Sequence, residues 1–189
     1  TGDARARESM FASGEALRSA HRISNIPEPG ALLDALCQHH LLERHEFPTL
    51  RFGFEHQQFQ EYYAALCARA KLRAIQPPGD ANLAADFTGA IVNQPSWAVP
   101  LEMIAECIGE SLQDNPEDED ALAIGERLVE TTLRVDPVFS ADLTRRCGPS
   151  LWPRVENAIA TALRDWLAVP EYHHQKCAIA GMLATGSHE

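Results

Sequence analysis

The feature that most constrains this chain is a change of period at His56, inside the stretch TLRFGFEHQQFQEYYAALCARAKLRA from Thr49 to Ala74. Before it, Leu50, Phe52 and Phe54 alternate with Arg51, Gly53 and Glu55, the period of two that marks a half-buried strand. After it, Phe59, Tyr62, Tyr63, Leu66, Cys67 and Ala70 recur three and four apart, a spacing that a helix gathers into one stripe. A strand therefore hands the chain to a helix, with a histidine at the junction. The first turn of a helix has N–H groups without intrahelical partners and carries partial positive charge, so His56 stands where an anion can be met.

Within that stretch, Phe54-x-His56-x-x-Phe59-Gln60-Glu61-Tyr62-x-Ala64-Ala65 resembles the F-x-H-x-x-F-Q-E-Y/F-x-A-A motif of NACHT proteins. These are signal-transduction NTPases that include bacterial defence proteins and animal NOD-like receptors. The resemblance implies that the motif closes the winged-helix part of a nucleotide-binding module. It implies His56 as the contact to the phosphates of bound ADP, with Phe54, Phe59 and Tyr62 as packing residues. Gln60 and Glu61 would fix the helix start. The same residues also suit a common strand-to-helix unit, in which the histidine is a cap or a surface group.

Upstream, residues 1 to 24 suggest a helix with Met10, Phe11, Leu17 and Ile23 as apolar points, and Asn25 to Gly30 is a breaker cluster. Leu32, Leu33, Leu36 and Cys37 then form a short amphipathic helix ending near His40. Leu41 to Arg44, a turn at Phe47-Pro48, and the Leu50–Phe54 strand read as a hairpin. Helix, hairpin and helix in that order are the end of a winged-helix fold. The segment from Pro29 to His40 carries Asp34 and no Lys or Arg, which speaks against a helix that enters a DNA groove.

Gln76-Pro77-Pro78-Gly79-Asp80 marks a boundary, giving an expected winged-helix part over 1–75 and a helical-repeat part over 80–189. Beyond it, helices are expected at about 81–93, 97–112, 119–134, 136–147, 152–168 and 171–184. Gly109 and Gly148 suit helix C-termini, and the acidic run Glu117 to Asp120 favours the start of the helix after it. Pro95-Ser96-Trp97 and Pro149-Ser150-Leu151-Trp152 open similar helices. At an offset of 55, Trp97, Ile104, Ala105 and Ile108 align with Trp152, Ile159, Ala160 and Leu163. That spacing exceeds the roughly 34–47 residues of a helix pair in α-solenoids, and long loops could make up the difference. The expected fold is mainly α: a small hairpin, then an α-solenoid of HEAT-like repeats.

The 189 residues are enough for one substantial domain or two small ones. A net charge of −11 argues against a nucleic-acid surface and gives no support to binding an anionic membrane. No apolar run approaches the roughly 20 residues that span a bilayer. The five cysteines form no C-x-x-C pair and read as reduced, buried residues of a cytoplasmic protein. The chain begins at Thr1, and its opening residues look like mid-protein sequence, so a longer parent is expected.

No phosphate-cradling G-x-x-x-x-G-K-[ST] loop occurs, so the chain is not expected to hydrolyse ATP by itself. ADP or ATP with magnesium would belong to the parent. Histidines 39, 40 and 45, and the group His173, His174 and Cys177, have partial zinc-like spacing without a complete ligand set. Cys147 lacks a base that would make it a nucleophile, and Trp97, Trp152 and Trp166 read as packing residues. The resemblance thus implies a regulatory and sensing segment of a NACHT signalling ATPase, of the kind used in bacterial anti-phage defence. Its partners would be the rest of the nucleotide-binding module and a protein ligand on the repeats, with oligomerisation of the parent on activation. The alternatives are a freestanding helical-repeat scaffold and, third, a metal-dependent enzyme built on the histidine groups.

Overall fold

The computed structural model describes residues 28–46, 49–75 and 81–186, which are mainly helical with one small antiparallel hairpin. Two compact units divide the chain, the first ending at Gln60 and the second beginning at Glu61.

In the first unit Pro29 opens α1 (Pro29–Gln38), where its missing N–H leaves no helical bond unmade. The helix ends at His39, and His40 takes a φ of 56°, the left-handed step with which helices commonly stop. β1 (Leu42–His45) and β2 (Arg51–Phe54) pair antiparallel, with Leu42 opposite Phe54 and His45 opposite Arg51. The turn at Phe47-Pro48 and the helix expected over 1–24 lie outside the described residues, as does the boundary at 76–80. None of the described residues of this unit is buried.

α2 (Gln57–Ala74) begins directly after the His56 junction, but the face it buries is not the aromatic one. Ala65, Ala68 and Leu72 are its buried residues, whereas Tyr62, Tyr63 and Leu66 are 47%, 49% and 45% exposed. Small residues let the helix approach its neighbours closely, and a count of large apolar residues overlooks them. Arg127 donates to the Leu72 carbonyl at 3.2 Å, and Arg73 pairs with Asp120, which ties the end of α2 to the helix carrying both partners.

The rest of the second unit is α3 (Ala81–Phe87), continued as a π turn over Thr88–Val92, then a 3-10 turn at Pro95–Trp97, α4 (Ala98–Asp114), α5 (Glu119–Leu133), α6 (Pro137–Cys147), α7 (Trp152–Ala168) and α8 (Tyr172–Ala184). α4 packs on α5 and α6, α5 on α6 and α7, α6 on α7 and α8, and α7 on α8. Ile104, Ile108, Ile124, Leu128, Leu143, Leu151 and Ile159 are fully buried among them. Asp118 and Asp136 cap α5 and α6, each carboxylate accepting two backbone N–H bonds of 3.0–3.1 Å.

A short sequence pattern and a threonine hydrogen bond recur within this array. Ala85-Asp86-Phe87-Thr88 at the end of α3 matches Ala141-Asp142-Leu143-Thr144 in α6. In each, the threonine hydroxyl bonds the carbonyl four residues back, Thr88 to Ala84 at 2.8 Å and Thr144 to Ser140 at 2.9 Å. Phe87 and Ile91 are buried, as are Leu143 and Cys147. Trp97 and Trp152 head α4 and α7, helices of 17 residues each. Leu151 lies nearest Gly125 of α5, with Ile108 of α4 next to it, and Leu163 of α7 lies on Gly181 of α8; a Cβ at Gly181 would stand 2.6 Å from Leu163 Cδ2. These correspondences relate the segment α3–α4–α5 to the segment α6–α7–α8, two consecutive helix triplets. Between Trp97 and Trp152 the spacing of 55 holds three helices, α4, α5 and α6, and not one helix pair with long loops.

Two glycines show the range of uses. Gly148, just past α6, has a φ of 86° and ends the helix, as expected. Gly109 is not terminal: α4 runs on to Asp114, and Gly109 is buried where a Cβ would collide with the backbone carbonyl of Arg146.

Candidate functional site

The junction between β2 and α2 carries the residues singled out by the motif. The His56 carbonyl accepts from the N–H groups of Phe59 at 3.1 Å and Gln60 at 3.4 Å, which starts the helix. Its imidazole is exposed and stands 5.9 Å from the Phe59 ring at a tilt of 46°. Phe54 and Phe59 are 36% and 37% exposed, Gln60 is exposed and Glu61 half-buried. The Tyr62 ring meets Tyr63 edge-on at 5.5 Å. An exposed imidazole at the positive end of a helix can donate a hydrogen bond to an anion, and does so more strongly when protonated.

Among the described residues the other histidines do not converge. His40 Nδ1 lies 3.2 Å from Glu55, while His45 Nε2 lies 3.4 Å from Glu43. Near the C-terminal end, His173 Nε2 is 4.0 Å from the Cys177 sulfur, and the His174 ring turns to Trp166 instead, 5.6 Å away. Among the described residues no three His, Cys, Asp or Glu side chains are placed to hold a metal.

Of the five cysteines only Cys147 is buried; Cys67 and Cys107 are exposed, and Cys37 and Cys177 lie between. The expectation of five buried thiols is corrected accordingly. Helix stripes with cysteine at their margin leave the sulfur at the rim of the core. Desolvation pushes the Cys147 thiol up to about 12, so it holds no thiolate for attack near neutral pH.

The acidic run is accounted for by helix and tie contacts. Asp118 is the cap of α5, Asp120 pairs with Arg73, and Glu119 accepts from Arg154 at 2.7 Å. Arg146 is a clasp between helices: it bonds Asp142 at 2.8 Å on its own helix and reaches Glu106 at 2.5 Å and Glu102 at 3.3 Å on α4. Burial raises the Asp142 carboxyl, but the bonds from Arg146 and Arg145 outweigh it and hold the group below the usual carboxylate range.

Two shallow grooves open on the second unit. One of about 190 Å³ is bordered by Lys71, Leu83, Asp86 and Phe87. The other, of about 150 Å³, lies between α7 and α8, over Ala160 and Leu163. Sequence reading missed the second groove, although the offset of 55 already aligned Ala160 with Ala105 and so pointed at it. No helix among the described residues is long and apolar enough to cross a membrane. No protein-family model, curated protein or solved structure matches the chain.

Proposed function

We propose that the chain is a regulatory and sensing segment of a NACHT-type signalling ATPase, acting in the cytoplasm in a defence response such as bacterial anti-phage immunity. The observation that carries the reading is His56, an exposed imidazole at the turn from β2 into α2 within the motif quoted above. The order α1–β1–β2–α2 supports a winged-helix end. Neighbour-on-neighbour packing of α4 to α8 supports an α-solenoid, built here from triplets.

In this reading the parent's own nucleotide-binding module holds ADP or ATP with magnesium. His56 makes no ion pair with a described residue, and its place at a helix start fits a phosphate contact. The bound diphosphate supplies the charge, and the imidazole ties this segment to it. A protein ligand on the helix triplets favours a state in which that tie is open, so the balance shifts by differential binding, and assembly of the parent follows. Nucleic acid and membrane are not partners of this segment.

In the full-length parent, His56→Ala removes one charge-assisted hydrogen bond, worth about 1.5–3 kcal/mol. ADP retained through purification should fall roughly tenfold or more, and basal activity should rise. Unchanged occupancy together with unchanged activity defeats the proposal. The runner-up is a freestanding helical-repeat scaffold without a nucleotide role, which the groove on α7 and α8, unfilled among the described residues, favours. A Walker A motif upstream of Thr1 would exclude it.

A further inference from the structure

In the first turns of α8 an imidazole and a thiol face one another. His173 and Cys177 are four residues apart on that helix, a spacing that makes their side chains neighbours on one face. His173 Nε2 lies 4.0 Å from the Cys177 sulfur, with the imidazole exposed and the thiol half-buried. Zinc bonds a thiolate sulfur at about 2.3 Å and an imidazole nitrogen at about 2.0–2.1 Å, so a tetrahedral centre holds the two donors about 3.6 Å apart. The pair in α8 has only a few tenths of an ångström to close, a motion that fits within one rotamer well.

The surrounding groups leave this pair available. His174 is turned elsewhere: its Nδ1 lies 3.0 Å from Glu171 and its ring meets Trp166 edge-on. The exposed cysteines, Cys67 and Cys107, have no histidine within four residues on either side. Cys37 precedes His39 and His40, but α1 has ended there and His40 lies 3.2 Å from Glu55. Lys176 is exposed, and its long side chain can carry the ammonium into water away from the pair. Sulfur with imidazole is a donor set that suits zinc and disfavours magnesium or calcium. We infer that His173 and Cys177 chelate one zinc-like divalent cation. Among the described residues no third His, Cys, Asp or Glu joins them, so water fills the other positions and the metal is exchangeable. On binding, the sulfur–metal bond forms as the thiol proton leaves to solvent, and the imidazole gives its Nε2 lone pair while Nδ1 keeps its proton. No electron is transferred.

The inference uses no residue of the nucleotide reading, so a His56→Ala chain should bind metal as the unchanged chain does. Cobalt(II) takes zinc's place in such sites and reports a thiolate ligand by a charge-transfer absorption in the near ultraviolet. It is titrated into the reduced 189-residue chain, and zinc is then added to displace it. The absorption should saturate at one cobalt per chain and fade as zinc enters. Cys177→Ser should remove it, and His173→Ala should weaken the affinity about tenfold or more. Cys67→Ser and Cys107→Ser should change neither, with circular dichroism checking that each variant keeps its helices. Absence of saturation overturns the inference, as does an affinity indifferent to His173→Ala. An absorption that persists in Cys177→Ser gives the metal to another thiol and overturns it too. One cobalt for two chains would make the pair a junction between copies and overturn it equally.

Discussion

Gly109 decides how near α6 can come to α4. The neighbouring atom is a backbone carbonyl, and the backbone behind it is pinned by the clasp from Arg146 to Glu102, Glu106 and Asp142. Gly109→Ala gains up to about 1 kcal/mol of helix propensity but loses about 1–3 kcal/mol to overpacking. The net expected result is a lower Tm, by about 2–4 °C for each kcal/mol in a chain of this size. Gly89, with open space around its Cβ position, is the control, and Gly89→Ala should leave Tm level or higher. A stabilised Gly109→Ala protein would show that α6 can retreat. The residue's role was not legible in the sequence, because a glycine near a helix end and a glycine under a crossing helix look alike in one dimension.

At the scale of single elements, most helices were legible from apolar spacing and proline positions, and α5 also from the acidic run before it, whereas the cap at Asp136 of α6 was not. Asp136 is a full cap, bonding the N–H groups of Val138 and Phe139. Asp136→Ala should cost about 1 kcal/mol, read as a shift in the denaturant midpoint without a change of slope. A shift below a few tenths would mean that solvent satisfies those donors equally well. α2 is the element that spacing misjudged. Its aromatic stripe announces a buried face, yet Ala65 and Ala68 take that role because they permit the shortest approach. The same element carries the candidate site, so the position of His56 was legible, at the change of period, while the exposure of its neighbours was not. Packing partners several helices away decide exposure, and no local pattern encodes them.

For the whole second unit, the deepest thiol reports cohesion. Cys147 sits at the end of α6 with no exposed surface, whereas Cys67 and Cys107 are open to reagent. Under excess thiol reagent the two exposed sulfurs should label first, and Cys147 should label only when the triplets separate. Its rate should therefore climb with denaturant as steeply as global unfolding does. Immediate labelling of all five would mean that α6 lifts off by itself. The triplet itself was half legible: the tryptophan-headed helices aligned in sequence, but Ala85-Asp86-Phe87-Thr88 and its partner in α6 bury their matching faces through contacts that only the fold brings together.

Gly125 and Gly181 hold corresponding places, each with a large aliphatic side chain resting where its own would be. Leu151 presses on the first and Leu163 on the second, so each glycine fixes how near its helix comes to that leucine. A bulkier residue at either would act as a wedge, and because every later helix is laid on the ones before it, the deflection would be passed along the row. Where helices are stacked in a row, curvature is the sum of small local steps, and here a hydrogen atom in place of a methyl group keeps two of those steps short.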